Sequence, residues 1–389
     1  MQHNTRRVWM GAMSALVIAG LVACGGNNPA PIHKVYVMGD SLADVGTFGF
    51  KFTVQDANSP KGFPIWTQIV ANNVGVDGSA QCNFFQFSNA TFVPNSTAGC
   101  TNYAIGGGRI VVKAADGGTA NPQTVGTQLR TRALAGNYSA NDLLLIDGGG
   151  NDAADLVSAY LGASAGQAGL AAYQTFLAQQ LDTATIAALL PQTNGPALAA
   201  GAYMQKLADT FVADITTHAL NKGADRVAVL NMPDITLTPR FRAVLAGVAA
   251  QVTAQAGAQA GAQASAQLQG AIQQWIGAFN QQLKTRTATE KRIVVVDFFN
   301  EFTQQVAKPA SYGLTNATEA VCPVTGTDSS GLPSYTFPLC TNTALNALPG
   351  KAANWWSNHM FSDGFHPTPF AHTLLAQSVM RSLDQAGWR

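Results

Sequence analysis

The chain predicts an α/β fold, a three-layer α/β/α sandwich around a five-stranded parallel sheet. Five short runs rich in β-formers recur with helix-like stretches between them: Lys34 to Met38, Thr101 to Ile105, Leu143 to Asp147, Arg226 to Leu230 and Ile293 to Phe298. Several are apolar without alternation, as in Leu143-Leu144-Leu145-Ile146 and Ile293-Val294-Val295-Val296. Such runs fit strands covered on both faces. In open sheets of this kind ligands bind beyond the carboxyl ends of the strands. The residues just after each run are therefore the ones to read for chemistry.

At the start, Arg6 and Arg7 precede an uncharged apolar run from Val8 to Val22. Residues 1–23 read as an export leader, since the run falls short of the roughly 20 residues that span a bilayer. It ends at Leu21-Val22-Ala23-Cys24, which resembles a bacterial lipobox. That resemblance implies cleavage that leaves Cys24 as a new, diacylated N-terminus, an anchor that two or three chains make stable. Gly25, where an aspartate commonly marks inner-membrane retention, favours the outer membrane. The alternative is an ordinary secretory signal cleaved nearby. Residues 24–31 lack an apolar period and read as a tether.

The sequence carries 22 Lys+Arg against 21 Asp+Glu, and only 11% of it is charged. Without the two leader arginines the count is 20 against 21. No basic stripe offers itself to phosphates, which argues against nucleic acid. The composition suits an uncharged or lipidic substrate, with a membrane as partner through Cys24 and the chain a monomer. Four cysteines remain once Cys24 is assigned to lipid, and they form two local couples, Cys82 with Cys100 and Cys322 with Cys340. In an exported chain they favour disulfides. Three connectivities are open, of which the local one closes two similar turn-rich loops. No C-x-x-C suggests zinc.

Ser41 directly follows the first run, in Gly39-Asp40-Ser41-Leu42, where the chain must turn from strand to helix. A hydroxyl there needs a base within hydrogen-bond reach to act as a nucleophile. Asp363-Gly364-Phe365-His366-Pro367-Thr368, near the other end, supplies a carboxylate three residues before an imidazole. Pro367 suits the first turn of a helix and leaves His366 on the loop before it. Because Ser41 and His366 must meet, residues 32–389 are expected to form one domain.

Two more segments follow strand-like runs, Asn102-Tyr103-Ala104-Ile105-Gly106-Gly107-Gly108 and Gly149-Gly150-Asn151-Asp152. In this order the four segments resemble the blocks of the SGNH or GDSL hydrolase superfamily, with its flavodoxin-like sandwich. The opening resembles the bacterial lipase, lecithinase and haemolysin-like branch. The resemblance implies a serine esterase needing no metal or organic cofactor, with Ser41 as nucleophile, His366 as base and Asp363 as its orienter. It also implies an oxyanion hole from the amides of Ser41 and Gly107 and the side chain of Asn151, with Gly106 or Gly108 open as substitutes for Gly107. Lipid acyltransfer or carbohydrate O-deacetylation would use the same site. From another class, a non-catalytic surface-binding lipoprotein could keep the fold alone.

Other signals rank lower. Gly162-Ala163-Ser164-Ala165-Gly166 matches the α/β-hydrolase pentapeptide, but a helix-like stretch precedes it where a strand is required. His359 with Asp363 and His366 lacks the further ligands of a metal site, and His372 falls in the last helix as a structural residue. The Ala/Gln-rich segment 241–284 is expected to be one long, partly frayed surface helix. The irregular segments Phe48 to Pro64 and Lys308 to Lys351 approach the active rim. Phe48, Phe50, Phe52, Trp66, Trp355 and Trp356 near them are candidates for an acyl-binding wall.

Overall fold

The computed structural model describes Met1 and residues 30–389. The leader, Cys24 and most of the tether lie outside the described residues.

Four parallel strands form the sheet: β1 (Lys34–Met38), β2 (Asp142–Ile146), β3 (Val227–Leu230) and β4 (Ile293–Val296), side by side in that order. Register is continuous from Lys34 opposite Asp142 to Leu230 opposite Val296. The expected fifth strand, Thr101 to Ile105, is reduced to a bridge between Val37 and Asn102. It still lies along the free edge of β1, donating from Tyr103 N–H to Val37 O at 2.7 Å and accepting from Val37 N–H at Thr101 O. Regular pairing stops at Gly39, whose N–H donates to Gln128 Oε1 and not to Tyr103 O. The Asn102 side chain bonds outside this ladder. Its Nδ2 donates to Ala43 O, and its Oδ1 accepts from Ala104 N–H.

Side chains alternate across the sheet, as the pleat requires. Tyr36, Met38, Leu144, Ile146, Val227 and Val229 enter one core. It is covered by α2 (Val125–Leu134), α3 (Gly150–Ala163), α4 (Gln167–Leu177), α5 (Thr183–Leu189) and α6 (Gly195–His218). Val35, Val37, Leu143, Leu145, Ala228 and Leu230 enter the other, under α1 (Trp66–Asn73), α9 (Phe298–Ala307) and α11 (Pro369–Gln385). Both faces are therefore dry, which explains the unalternating strands.

The Ala/Gln-rich segment is two helices, α7 (Pro239–Ala256) and α8 (Ala258–Thr287). Gly257, at φ +89°, separates them in a conformation that favours glycine. The hairpin is not all surface. Leu268, Ile272, Trp275, Ile276, Phe279 and Leu283 of α8 are buried in the first core, a stripe near helical spacing that the repetitive composition obscures.

The segment after α9 is less irregular than expected. Asn316–Ala320 pairs with His359–Phe361, and α10 (Asn342–Asn346) lies between them. This segment packs on the Phe48–Pro64 loop through Gln55 N–H to Cys340 O and Asn342 N–H to Gln55 O. A third apolar cluster, including Val54, Phe337 and Trp356, fills the space between. Cys322 bonds Cys340, and Cys82 bonds Cys100, as local pairing expected.

Candidate active site

β1 delivers Gly39, Asp40 and Ser41 to the carboxyl rim. Gly39 is held on both backbone groups by Gln128 of α2: its N–H donates to Oε1 at 2.7 Å, and its carbonyl accepts from Nε2 at 2.9 Å. A β-carbon at Gly39 would lie 1.9 Å from Asp147 Oδ1, so the strand can turn here only without a side chain. Asp40 Oδ1 caps the turn by accepting from Leu42 N–H.

Ser41 Oγ lies 2.7 Å from His366 Nε2. The imidazole's Nδ1 faces Asp363 at 2.9 Å from Oδ2 and 3.0 Å from Oδ1. Asp363 Oδ1 also accepts from the backbone N–H groups of Phe365 and His366, which fixes the carboxylate within its own turn. The helix after this turn starts later than expected. Thr368 is the N-cap of α11 and Pro369, rather than Pro367, occupies its first turn. Pro367 O instead accepts from Thr53 Oγ1 and Ser362 Oγ, which pin the histidine loop to the Phe48–Pro64 segment.

The second segment resolves which glycine amide is free. Gly106 N–H donates to Asp44 Oδ2 at 2.8 Å, and Gly108 N–H donates to Ile105 O at 2.9 Å. Among the described residues neither Gly107 N–H nor Ser41 N–H has a hydrogen-bond acceptor. Gly107 sits at φ +74°, a left-handed turn that aims its amide away from the chain's own carbonyls. Asn151, in the first turn of α3, donates from Nδ2 to Gly108 O at 2.9 Å and reaches Asp40 Oδ2 at 3.4 Å. Its neighbour Asp152 accepts from the N–H groups of Ile110 and Val111, tying α3 to the glycine segment.

The electrostatics follow from burial and pairing. For Asp363 burial favours the neutral acid, but the His366 charge and the hydrogen bonds outweigh it and hold the carboxyl below its ordinary value. For His366 burial opposes the charged ring, and Asp363 together with Asp40 prevails, leaving its pKa raised above 6.5. Beneath Ser41, Asp147 is raised well above the usual carboxylate range, first by burial and then by the Asp40 charge.

Several contributors were not singled out from the sequence. Asp44 lies in the strand-turn motif itself, three residues after Ser41, so a signal existed. Gln128 carries none, because its role rests on a contact 89 residues away. Of the six aromatic candidates, Phe52 packs on the His366 ring with centroids 5.2 Å apart, and Phe48 and Phe50 extend that cluster. Trp66 is core, Trp356 belongs to the third cluster, and Trp355 packs against His359. Phe337, not foreseen, lies on another side of the His366 ring at 5.5 Å.

Ser164 is exposed at the end of α3, with its hydroxyl bonded to Leu161 O. His359 Nδ1 faces Thr315 Oγ1 at 3.4 Å. Among the described residues no group of three His, Cys, Asp or Glu side chains is placed to hold a metal. No described helix is long and apolar enough to cross a membrane.

No curated protein matches the chain. Residues 35–379 match the family model for the GDSL-like lipase/acylhydrolase, a span that runs from β1 through most of α11. With four rim segments converging on one serine and a match over most of its length, the chain belongs to the GDSL-like lipase/acylhydrolase family, hydrolases acting on esters.

Proposed function

We propose that this protein is a serine esterase that works through an acyl-enzyme on Ser41. The observation that carries the reading is the chain of contacts Ser41 Oγ to His366 Nε2 to Asp363, at 2.7 and 2.9 Å. His366 takes the Ser41 proton as Oγ attacks the ester carbonyl, and Asp363 steadies the imidazolium that results. The oxyanion falls to Ser41 N–H and Gly107 N–H, which have no other acceptor among the described residues, and to the Asn151 amide beside them. Collapse of the tetrahedral species breaks the bond to the alcohol oxygen, which receives the proton from Nε2. Water then enters, gives its proton to His366 and attacks the acyl-serine. The second collapse frees the acid and returns the proton to Ser41. Each of these steps uses only the chain's own groups and water.

The lipobox-like Leu21–Cys24 run supports a place in the bacterial cell envelope, as an outer-membrane lipoprotein acting on lipidic esters. Fluorophosphonate labelling and p-nitrophenyl butyrate hydrolysis, in the wild type and Ser41→Ala, test the chemistry. Labelling and turnover that both vanish in the variant are expected. Equal turnover in a folded Ser41→Ala protein would sink the reading.

A further inference from the structure

A cavity of about 80 Å³ is lined by Ser41 and His366 at the rim and reaches in between two helices and the sheet. α9 begins just after β4 and α11 just after the histidine loop, so both helices set out from the catalytic rim. α9 turns Phe298, Phe302 and Gln305 toward the cavity at i, i+4 and i+7, and α11 turns Ala371 and Leu375 toward it at i and i+4. Leu230, at the end of β3, closes the sheet side. Apart from Asp40, Asp147 and His366 at the rim, no lining residue is charged.

Gln305 is the one polar residue that the two helices bring to this cavity. It is 3% exposed, its side-chain amide makes no hydrogen bond among the described residues, and neither amide atom is wholly cut off from solvent. Along the helix it lies about 10 Å from Phe298, at 1.5 Å per residue. A buried amide of this kind is tolerable while water reaches it through the cavity, and unfavourable once an apolar group displaces that water.

We propose that this cavity is the acyl-chain site, a ruler in which Gln305 is the end stop. The assignment rests on the esterase reading above. In that cycle the alcohol must leave before water can enter, whereas the acyl group stays bonded to Ser41 through both halves. A recess beside the nucleophile therefore suits the acyl group and not the alcohol. At about 80 Å³ the recess has room for a short chain and not for a long one. A longer chain must press methylenes against the Gln305 amide and strip its water without replacing the hydrogen bonds. The substrates are thus esters of short to medium acyl chains, with the alcohol side facing the Phe52 and Phe337 rings that flank His366.

The test is kcat/KM for p-nitrophenyl acetate, butyrate, hexanoate, octanoate and palmitate, in the wild type, Gln305→Leu and Phe302→Ala. In the wild type the maximum is expected between butyrate and octanoate, with palmitate lower by about tenfold or more. Gln305→Leu should move the maximum to longer chains and Phe302→Ala should raise palmitate relative to acetate, with acetate itself within about twofold in both. Chain-length profiles that overlay the wild type in both folded variants would overturn the proposal. If acetate turnover does not depend on Ser41, the esterase reading fails by itself. The cavity is then read separately, by the Tm of Ser41→Ala with octanoic acid. A rise that Ala371→Phe abolishes in the same background supports an acyl site, and no rise in Ser41→Ala overturns it.

Discussion

Two histidines six residues apart, one partly and one fully buried, show how position decides chemistry in this fold. His366 stands on the loop before α11, and His372 lies in the first turns of the helix itself. His366 meets two carboxylates, Asp363 and Asp40, and its pKa is raised. His372 meets none. Burial, with the His366 and Lys51 charges adding to it, drives it down to about 3, and its Nδ1 accepts from Trp66 N–H at 3.4 Å. The same side chain is held toward its charged form by carboxylates in one place and kept neutral as a packing group in the other. The difference lies in the neighbours each backbone position imposes.

The comparison can be broken most severely at the loop. His366→Ala should lower kcat on the order of 10⁵-fold or more, measured with p-nitrophenyl butyrate, because base and acid roles disappear together. Asp363→Asn should cost about 10⁴-fold by losing the partner that orients the ring. It should also shift the pH profile. In the wild type kcat/KM is expected to rise with pH through a value above 6.5, since His366 must be neutral to accept the proton. Without the Asp363 charge that rise should move to lower pH, and an unmoved profile would refute the assigned cause.

Asn151→Ala sharpens the contrast by leaving both histidines in place. Removal of one oxyanion donor should lower kcat by about 10²- to 10³-fold with little change in KM. The smallest effect on activity is expected at the helix. His372→Asn keeps an acceptor for Trp66 N–H and should leave kcat within about twofold, while altering the response to acid. A folded-state pKa near 3 means that the unfolded chain binds the extra proton first, so this residue's contribution is lost as pH falls from 6.5 toward 3. His366 has the opposite sign, its contribution being full below 6.5 and lost as pH rises through its folded value. The stability gap between wild type and His372→Asn, followed by urea unfolding, should therefore turn in favour of the variant on acidification, by a few kcal/mol at most.

The contrast between the two histidines was partly visible in the sequence, because Asp363 precedes His366 at a fixed spacing and nothing comparable surrounds His372. The strands were legible for a similar local reason, as unbroken apolar runs. The exception, Thr101 to Ile105, lost its regular pairing because Gln128, distant in sequence, takes the Gly39 N–H that would continue it. The break at Gly257 was hidden by repetition, since Gly257 and Gly261 stand in nearly the same Ala-Gln surroundings, and only the structure shows that Gly257 makes the turn while Gly261 packs against Thr253 and Ala249 of α7. The choice of Gly107 over its neighbours needed the partners of Gly106 and Gly108, which are tertiary facts. Gln128 and the α9–α11 cavity were illegible because their meaning comes from chain segments distant in sequence.

The hydrogen bond between Ser41 and His366 spans 325 residues. Loop-closure entropy grows only logarithmically with such a separation, so the long span is a modest equilibrium burden. Its effect on timing is larger. A growing chain that stops short of His366 cannot hold this bond, however well β1 and β2 have already paired. The serine stays without its imidazole until residue 366 has been added, so a shorter chain carries a serine with no base beside it.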